Sequence, residues 1–193
     1  MAEKQRTIGN PVSLKGPGLH TGVNVTLTLN PADENHGFRF RRIDLDGKPI
    51  IRALVDNVSY TQRGTVLQEG EAKVSTIEHC LAALRGLGVD NCLIDVDGPE
   101  APILDGSSKY FVKAIKEAGI VEQTADREYF EVREKMMVED PETGSYIIAL
   151  PDNNFSAQIM ISFDKSLHLA NQFATIENLD AFESEISMCR TFV

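Results

Sequence analysis

The sequence is short of cations, short of cysteine, and without a long apolar run. Its 19 Lys and Arg stand against 29 Asp and Glu, a formal net charge of −10 at pH 7. So acidic a chain argues against a nucleic-acid partner, although a small anionic ligand needs only a few local cations. The three cysteines, Cys80, Cys92 and Cys189, are scattered and odd in number. That argues against a disulfide framework and suits a reducing cytoplasm. No apolar stretch reaches the length of a membrane helix, so no integral membrane segment is expected. The opening MAEKQRTIGNPV has no apolar core of a secretory signal, so none is expected. What is there is an ordinary globular composition, 42% hydrophobic and 25% charged. At 193 residues the chain can bury a real core as one large domain or two small ones.

Alternation marks the strands. In GVNVTLTLN, Val23, Val25, Leu27 and Leu29 fall on one face, and Asn24, Thr26 and Thr28 on the other. FRFRRIDL alternates Phe38 and Phe40 with Arg39 and Arg41. IIRALVDNVSY, GTVLQ and DNCLIDVDG read as further strands, with QEGEAK as a polar hairpin turn. A helix is expected from Val74 through VSTIEHCLAAL, and a second over SSKYFVKAIKEAG, stopped by Gly119. The polar run near Glu122 reads as a linker over residues 122–128, dividing a first domain, 1–121, from a second, 129–193. The second begins again with strands, YFEVRE, KMMVED, YIIAL and FSAQIMISF, and then a helix, ENLDAFESEISMCR. The fold class expected is α+β: two similar layered units, each a sheet against helices, with the second incomplete in this chain.

Four stretches could carry chemistry. Ser75-Thr76-Ile77-Glu78 matches a capping box, in which Glu78 would reach back to the Ser75 amide. Ile77, Cys80, Leu81 and Leu84 form the apolar stripe of the helix, and His79 projects about 140° from its centre. His79 also falls in the first turn, where the helix dipole disfavours positive charge, and a neutral imidazole is the form that binds metal. A surface histidine remains the plain alternative. Catalytic zinc usually takes three protein ligands, yet none of His20, His36, His79 and His168 has a histidine or carboxylate four residues later. LKGPGLHTG places His20 in a glycine-rich turn before a strand, without the strand–loop–helix context of a phosphate loop. In APILDGSS, Asp105 or Ser107 could simply cap the following helix. CRTFV could be a frayed end.

Taken in order, LKGPGLHTG, TLTLNPA, FRRIDL, VSTIEHCLAALRGLGVDN, GPEAPILDGSS and RTF closely resemble the UDP-3-O-acyl-N-acetylglucosamine deacetylase family. These are cytoplasmic zinc enzymes of lipid A biosynthesis in Gram-negative bacteria. The resemblance implies Zn²⁺ as cofactor and UDP-3-O-acyl-N-acetylglucosamine as substrate. It implies that His79 ligates zinc, that Glu78 is the general base on the bound water, and that Thr191 lies near the developing oxyanion. His20 and Asp105 match supporting motif residues, while Phe163 and Phe192 match substrate-binding positions. On this reading Glu78 and His79 are neighbours because base and metal ligand must share one water. The family's other two zinc ligands, a histidine and an aspartate four residues apart, lie later than Val193, which itself stands where the family often has glycine. This chain is then expected to be the N-terminal part of the enzyme and inactive alone. Some relatives are fused to a hydroxyacyl-carrier-protein dehydratase. The alternative is a non-catalytic folding or interaction module.

Overall fold

The computed structural model describes residues 3–162 and 171–191. The chain is α+β. It divides into two compact units. One runs to Arg127 and takes in the chain again from Asp180; the other is Glu128–Leu179.

The first unit opens with β1 (Lys4–Ile8), β2 (Val12–Pro17), β3 (Asn24–Asn30), β4 (Phe38–Arg42) and β5 (Ile50–Arg52). Then come β6 (Val58–Tyr60), β7 (Val66–Glu69), β8 (Ala72–Ser75), α1 (Glu78–Gly86), β9 (Cys92–Val96), α2 (Lys109–Ala118) and β10 (Ile120–Asp126). A five-stranded sheet runs in the order β2-β3-β9-β4-β5. Only its β4–β9 pairing is parallel. Alternation in β3 works as the sequence implies: Val25, Leu27 and Leu29 are fully buried, and Thr26 and Thr28 are only half so. Val23 is the exception, 46% exposed and one residue ahead of the strand. Phe40, Ile51, Cys92, Ile94 and Val96 continue the buried face of the sheet, and Cys80, Leu84, Phe111 and Ile115 of the two helices belong to the same core. A three-stranded sheet, β6-β7-β8, closes through a two-residue turn at Gly70, whose φ of +59° suits glycine.

Three sequence expectations are corrected here. The first helix begins at Glu78, because Val74 and Ser75 belong to β8 and Thr76 takes a φ of +56° that no helix admits. Most of the stretch read as a linker is strand: β10 runs to Asp126 and pairs antiparallel with β1. Its polar side chains misled the reading, since Gln123 accepts a 2.8 Å bond from buried Asn91 and donates one of 3.0 Å to Ala32 O. The helix expected over ENLDAFESEISMCR is a 3₁₀ turn, Leu179–Ala181, and one π-helical turn, Phe182–Ile186. From Asp180 on it clusters with the first unit. There the buried Phe182 ring fills the space that a Cβ on Gly86 would need.

The second unit holds two hairpins, β11 (Met136–Glu139) with β12 (Tyr146–Ala149) and β13 (Ala157–Ile161) with β14 (Gln172–Ile176). YFEVRE, expected as a strand, has no ladder partner among the described residues. Val138, Ile147, Met160 and Phe173 are all more than half exposed. No helix among the described residues is long and apolar enough to cross a membrane.

Candidate active site

Local folding decides where Glu78 points. The capping box does not form: the Ser75 amide donates to Pro99 O at 3.0 Å, and the Ser75 hydroxyl goes to the same oxygen at 3.3 Å. Ser75 is spent on its neighbours because it still belongs to a strand. Glu78 is thereby released, and its Oε1 accepts a short bond from the Thr65 amide instead. Its other oxygen has no hydrogen bond among the described residues. His79, half-buried on the next position, has none at either ring nitrogen. Among the described residues no buried side-chain nitrogen or oxygen lacks a partner, so these unbonded atoms reach solvent.

His20 comes to the same place. Its Nε2 lies 3.0 Å from Arg63 O. A Cβ built on Gly64 would stand 3.6 Å from that Nε2, 3.8 Å from Glu78 Oε1 and 3.8 Å from Thr76 Oγ1. Glycine at 64 therefore leaves open a small space walled by a histidine, a carboxylate and a hydroxyl.

The loop after β9 ties the motifs together. Ala101 N donates to Ser75 O at 3.0 Å, and Ile103 N donates to Pro17 O at 3.0 Å. At its far end the Thr191 amide donates to Gly106 O at 2.7 Å, leaving the exposed Thr191 hydroxyl without a bond among the described residues. Asp105 accepts from the Ser107 amide and hydroxyl at 3.2 and 2.7 Å and pairs with Lys109 at 3.2 Å. Ser107 Oγ in turn accepts from the Lys109 amide at 3.2 Å. The N-cap of α2 is Ser108, which makes no side-chain cap bond; Ser107, one residue earlier, bonds the first helical amide, and Asp105 orients its hydroxyl. Burial raises the Asp105 pKa, but the Ser107 bonds and Lys109 outweigh it and hold the carboxyl below the usual range. The structure thus gathers His20 and Glu78 at one end of this loop, and Asp105 and Thr191 at the other. Phe163 and Phe192 lie outside the described residues.

Sequence reasoning passed over Glu100. It is fully buried, and it binds the His20 and Thr21 amides and the Thr21 and Thr76 hydroxyls. Burial raises its pKa, yet those bonds outweigh burial and leave it lowered. The one available signal was a lone carboxylate among Pro99, Ala101 and Pro102.

The chain matches the family UDP-3-O-acyl N-acetylglycosamine deacetylase, LpxC, over residues 5–193. It belongs to this family. Two similar proteins named bifunctional enzyme LpxC/FabZ, from Bacteroides thetaiotaomicron and Porphyromonas gingivalis, are each 50% identical to it. The matches cover 98% and 99% of this chain and 41% of each relative. A UDP-3-O-acyl-N-acetylglucosamine deacetylase from Methylococcus capsulatus is 42% identical over 98% of this chain and 62% of its own length. The LpxC segment seen here therefore spans about two fifths to three fifths of these relatives. Among the described residues no three His, Cys, Asp or Glu side chains converge in a way that could hold a metal ion. His79 is a free donor, but these residues alone do not fit a catalytic zinc site, which takes three protein ligands.

Proposed function

We propose that the protein containing this chain hydrolyses the N-acetyl group of UDP-3-O-acyl-N-acetylglucosamine in lipid A biosynthesis, as a zinc-dependent enzyme of the cytoplasm. His79 would be one zinc ligand, with the others from chain beyond residue 193. Zinc, when bound, would bring a water near neutrality in its ionisation. The observation that carries this reading is the Glu78–His79 pair: a carboxylate fixed at one oxygen and open at the other, beside an imidazole with both nitrogens free.

Glu78 then takes the proton of the attacking water through its open oxygen, while the Thr65 amide keeps the carboxylate aimed. The Thr191 hydroxyl, unbonded and exposed, donates to the oxygen on which charge develops. His20 borders the Gly64 space together with Glu78 and lends a polar wall. We read the hairpins of Glu128–Leu179 as the start of a second α+β domain, whose further chain would cover the apolar side chains they leave exposed.

The test is Glu78→Ala in the full-length protein. Acetate release should fall by roughly 10²–10⁴, the usual worth of a general base, with zinc content unchanged. Zinc lost in parallel with activity would make Glu78 a ligand or a structural residue and sink this assignment.

A further inference from the structure

We infer that Glu100 is the positioning residue of this site, a buried carboxylate that locks the His20 loop to the turn that delivers Glu78. The inference rests on the deacetylase reading and adds to it a residue that touches neither water nor substrate.

Glu100 is fully buried, and none of its partners is a cation. An ionised carboxylate so placed is costly unless it is fully bonded. Here it is bonded from two sides. From one side come the amides of His20, at 3.0 Å to Oε1 and 3.2 Å to Oε2, and of Thr21, at 2.9 Å, with the Thr21 hydroxyl at 2.8 Å. Successive backbone N–H groups of this kind form an anion-binding nest. The nest in GPGLHT is already filled, by the chain's own carboxylate. Gly18 permits it, since a Cβ there would overlap the Glu100 carboxylate and sit 2.6 Å from Thr21 Oγ1.

From the other side comes the Thr76 hydroxyl, at 2.7 Å to Oε1. Thr76 is β-branched at a φ of +56°, a conformation such residues adopt only when their surroundings enforce it. Two bonds enforce it: this hydroxyl to Glu100, and the Thr76 amide to Thr65 O at 3.1 Å. The turn they fix ends β8 and starts α1 two residues later, at Glu78. Glu100 therefore sets the relative placement of His20 and Glu78, whose Nε2 and Oε1 would lie 3.6 and 3.8 Å from a Cβ on Gly64.

The test compares Glu100→Gln, Thr76→Ala and Thr76→Ser with Glu78→Gln in the full-length protein. Glutamine keeps the shape of Glu100 but turns an NH₂ toward donors. Both Glu100→Gln and Thr76→Ala should lower kcat about 10- to 100-fold, with KM changed less than about threefold, as misplaced catalytic groups do. Thr76→Ser keeps the hydroxyl and should restore turnover. The His20 and Thr21 amide proton resonances, downfield when bonded to a carboxylate, should move upfield in Glu100→Gln. If Glu100→Gln does not fold, the Thr76 pair carries the test, since Thr76→Ala removes only one of the bonds to Glu100. Equal losses in Thr76→Ala and Thr76→Ser overturn the proposal. So does full turnover in Thr76→Ala beside an inactive Glu78→Gln. Full turnover in Glu78→Gln overturns instead the general-base role beneath it, and absence of acetate release by the wild-type protein overturns the deacetylase reading.

Discussion

Phe182→Ala should loosen the returning segment that carries Thr191, and the size of the effect follows from burial. Besides the Thr191–Gly106 backbone bond and a long Arg190–Asp105 ion pair at 3.9 Å, two side-chain features tie this segment to the rest of the first unit. The Phe182 ring is buried, 6% exposed, over Gly86 of α1. The Lys116–Glu183 ion pair is short, at 2.6 Å, but its side chains are 54% and 47% exposed. Truncating a core phenylalanine costs about 3–5 kcal/mol, and a ring at the core margin belongs at the low end, about 3 kcal/mol. An exposed ion pair is worth about 0.2–1 kcal/mol. At about 1.4 kcal/mol per tenfold, Phe182→Ala should lower amide protection in the segment about 100-fold, and Lys116→Ala less than about fivefold. Hydrogen exchange reads this directly at Thr191 N–H, bonded to Gly106 O, and Ser187 N–H, bonded to Phe182 O. Protection within about threefold of wild type in Phe182→Ala, or a larger loss in Lys116→Ala, would refute the assignment of the anchor to the ring.

Three further expectations test other parts. In the full-length protein, the oxyanion role proposed for Thr191 predicts that Thr191→Val lowers kcat roughly 10²–10³, with little change in KM; an effect confined to KM would make Thr191 a binding residue. Because the folded-state pKa of Glu100 is lowered, its contribution to stability is present in full above the unfolded carboxylate value, about 4.3, and is lost as pH falls through the folded one. The urea midpoint of wild type should therefore drop more steeply on the acid side than that of Glu100→Gln; parallel acid limbs would contradict the direction of the shift. Burial pushes the Cys80 thiol well up and that of Cys92 to about 12, whereas Cys189 is exposed. A thiol reagent at neutral pH should modify one cysteine quickly and the other two only on unfolding.

Most of the first unit was legible in the sequence because its strands have one buried face, so period-2 alternation reports burial directly, as in Val25, Leu27 and Leu29. β10 was not, because its inward groups are polar and satisfied by side-chain bonds such as that of Gln123 to Asn91. The start of α1 was missed because a left-handed threonine is invisible to pattern reading: STIE carries every local signal of a helix cap, and tertiary bonds to Pro99, Thr65 and Glu100 override it. Glu78 and His79 could be singled out from sequence as a pair of odd neighbours. Glu100 could not, since its role depends on His20, 80 residues away in the chain.

That separation also bears on the order in which the molecule assembles. The bonds from His20 and Thr21 to Glu100 close spans of 80 and 79 residues, against 24 for the bond from Thr76. Closing a long span spends chain entropy before any contact rewards it. The β7–β8 hairpin joins strands two residues apart, and α1 needs only its own turn, so both can form early. The filled nest can form only after β2, β3 and β9 have come into register. The joint between His20 and Glu78 is thus a late event on the folding path, so weakening it should speed unfolding while scarcely slowing the approach to the native sheet.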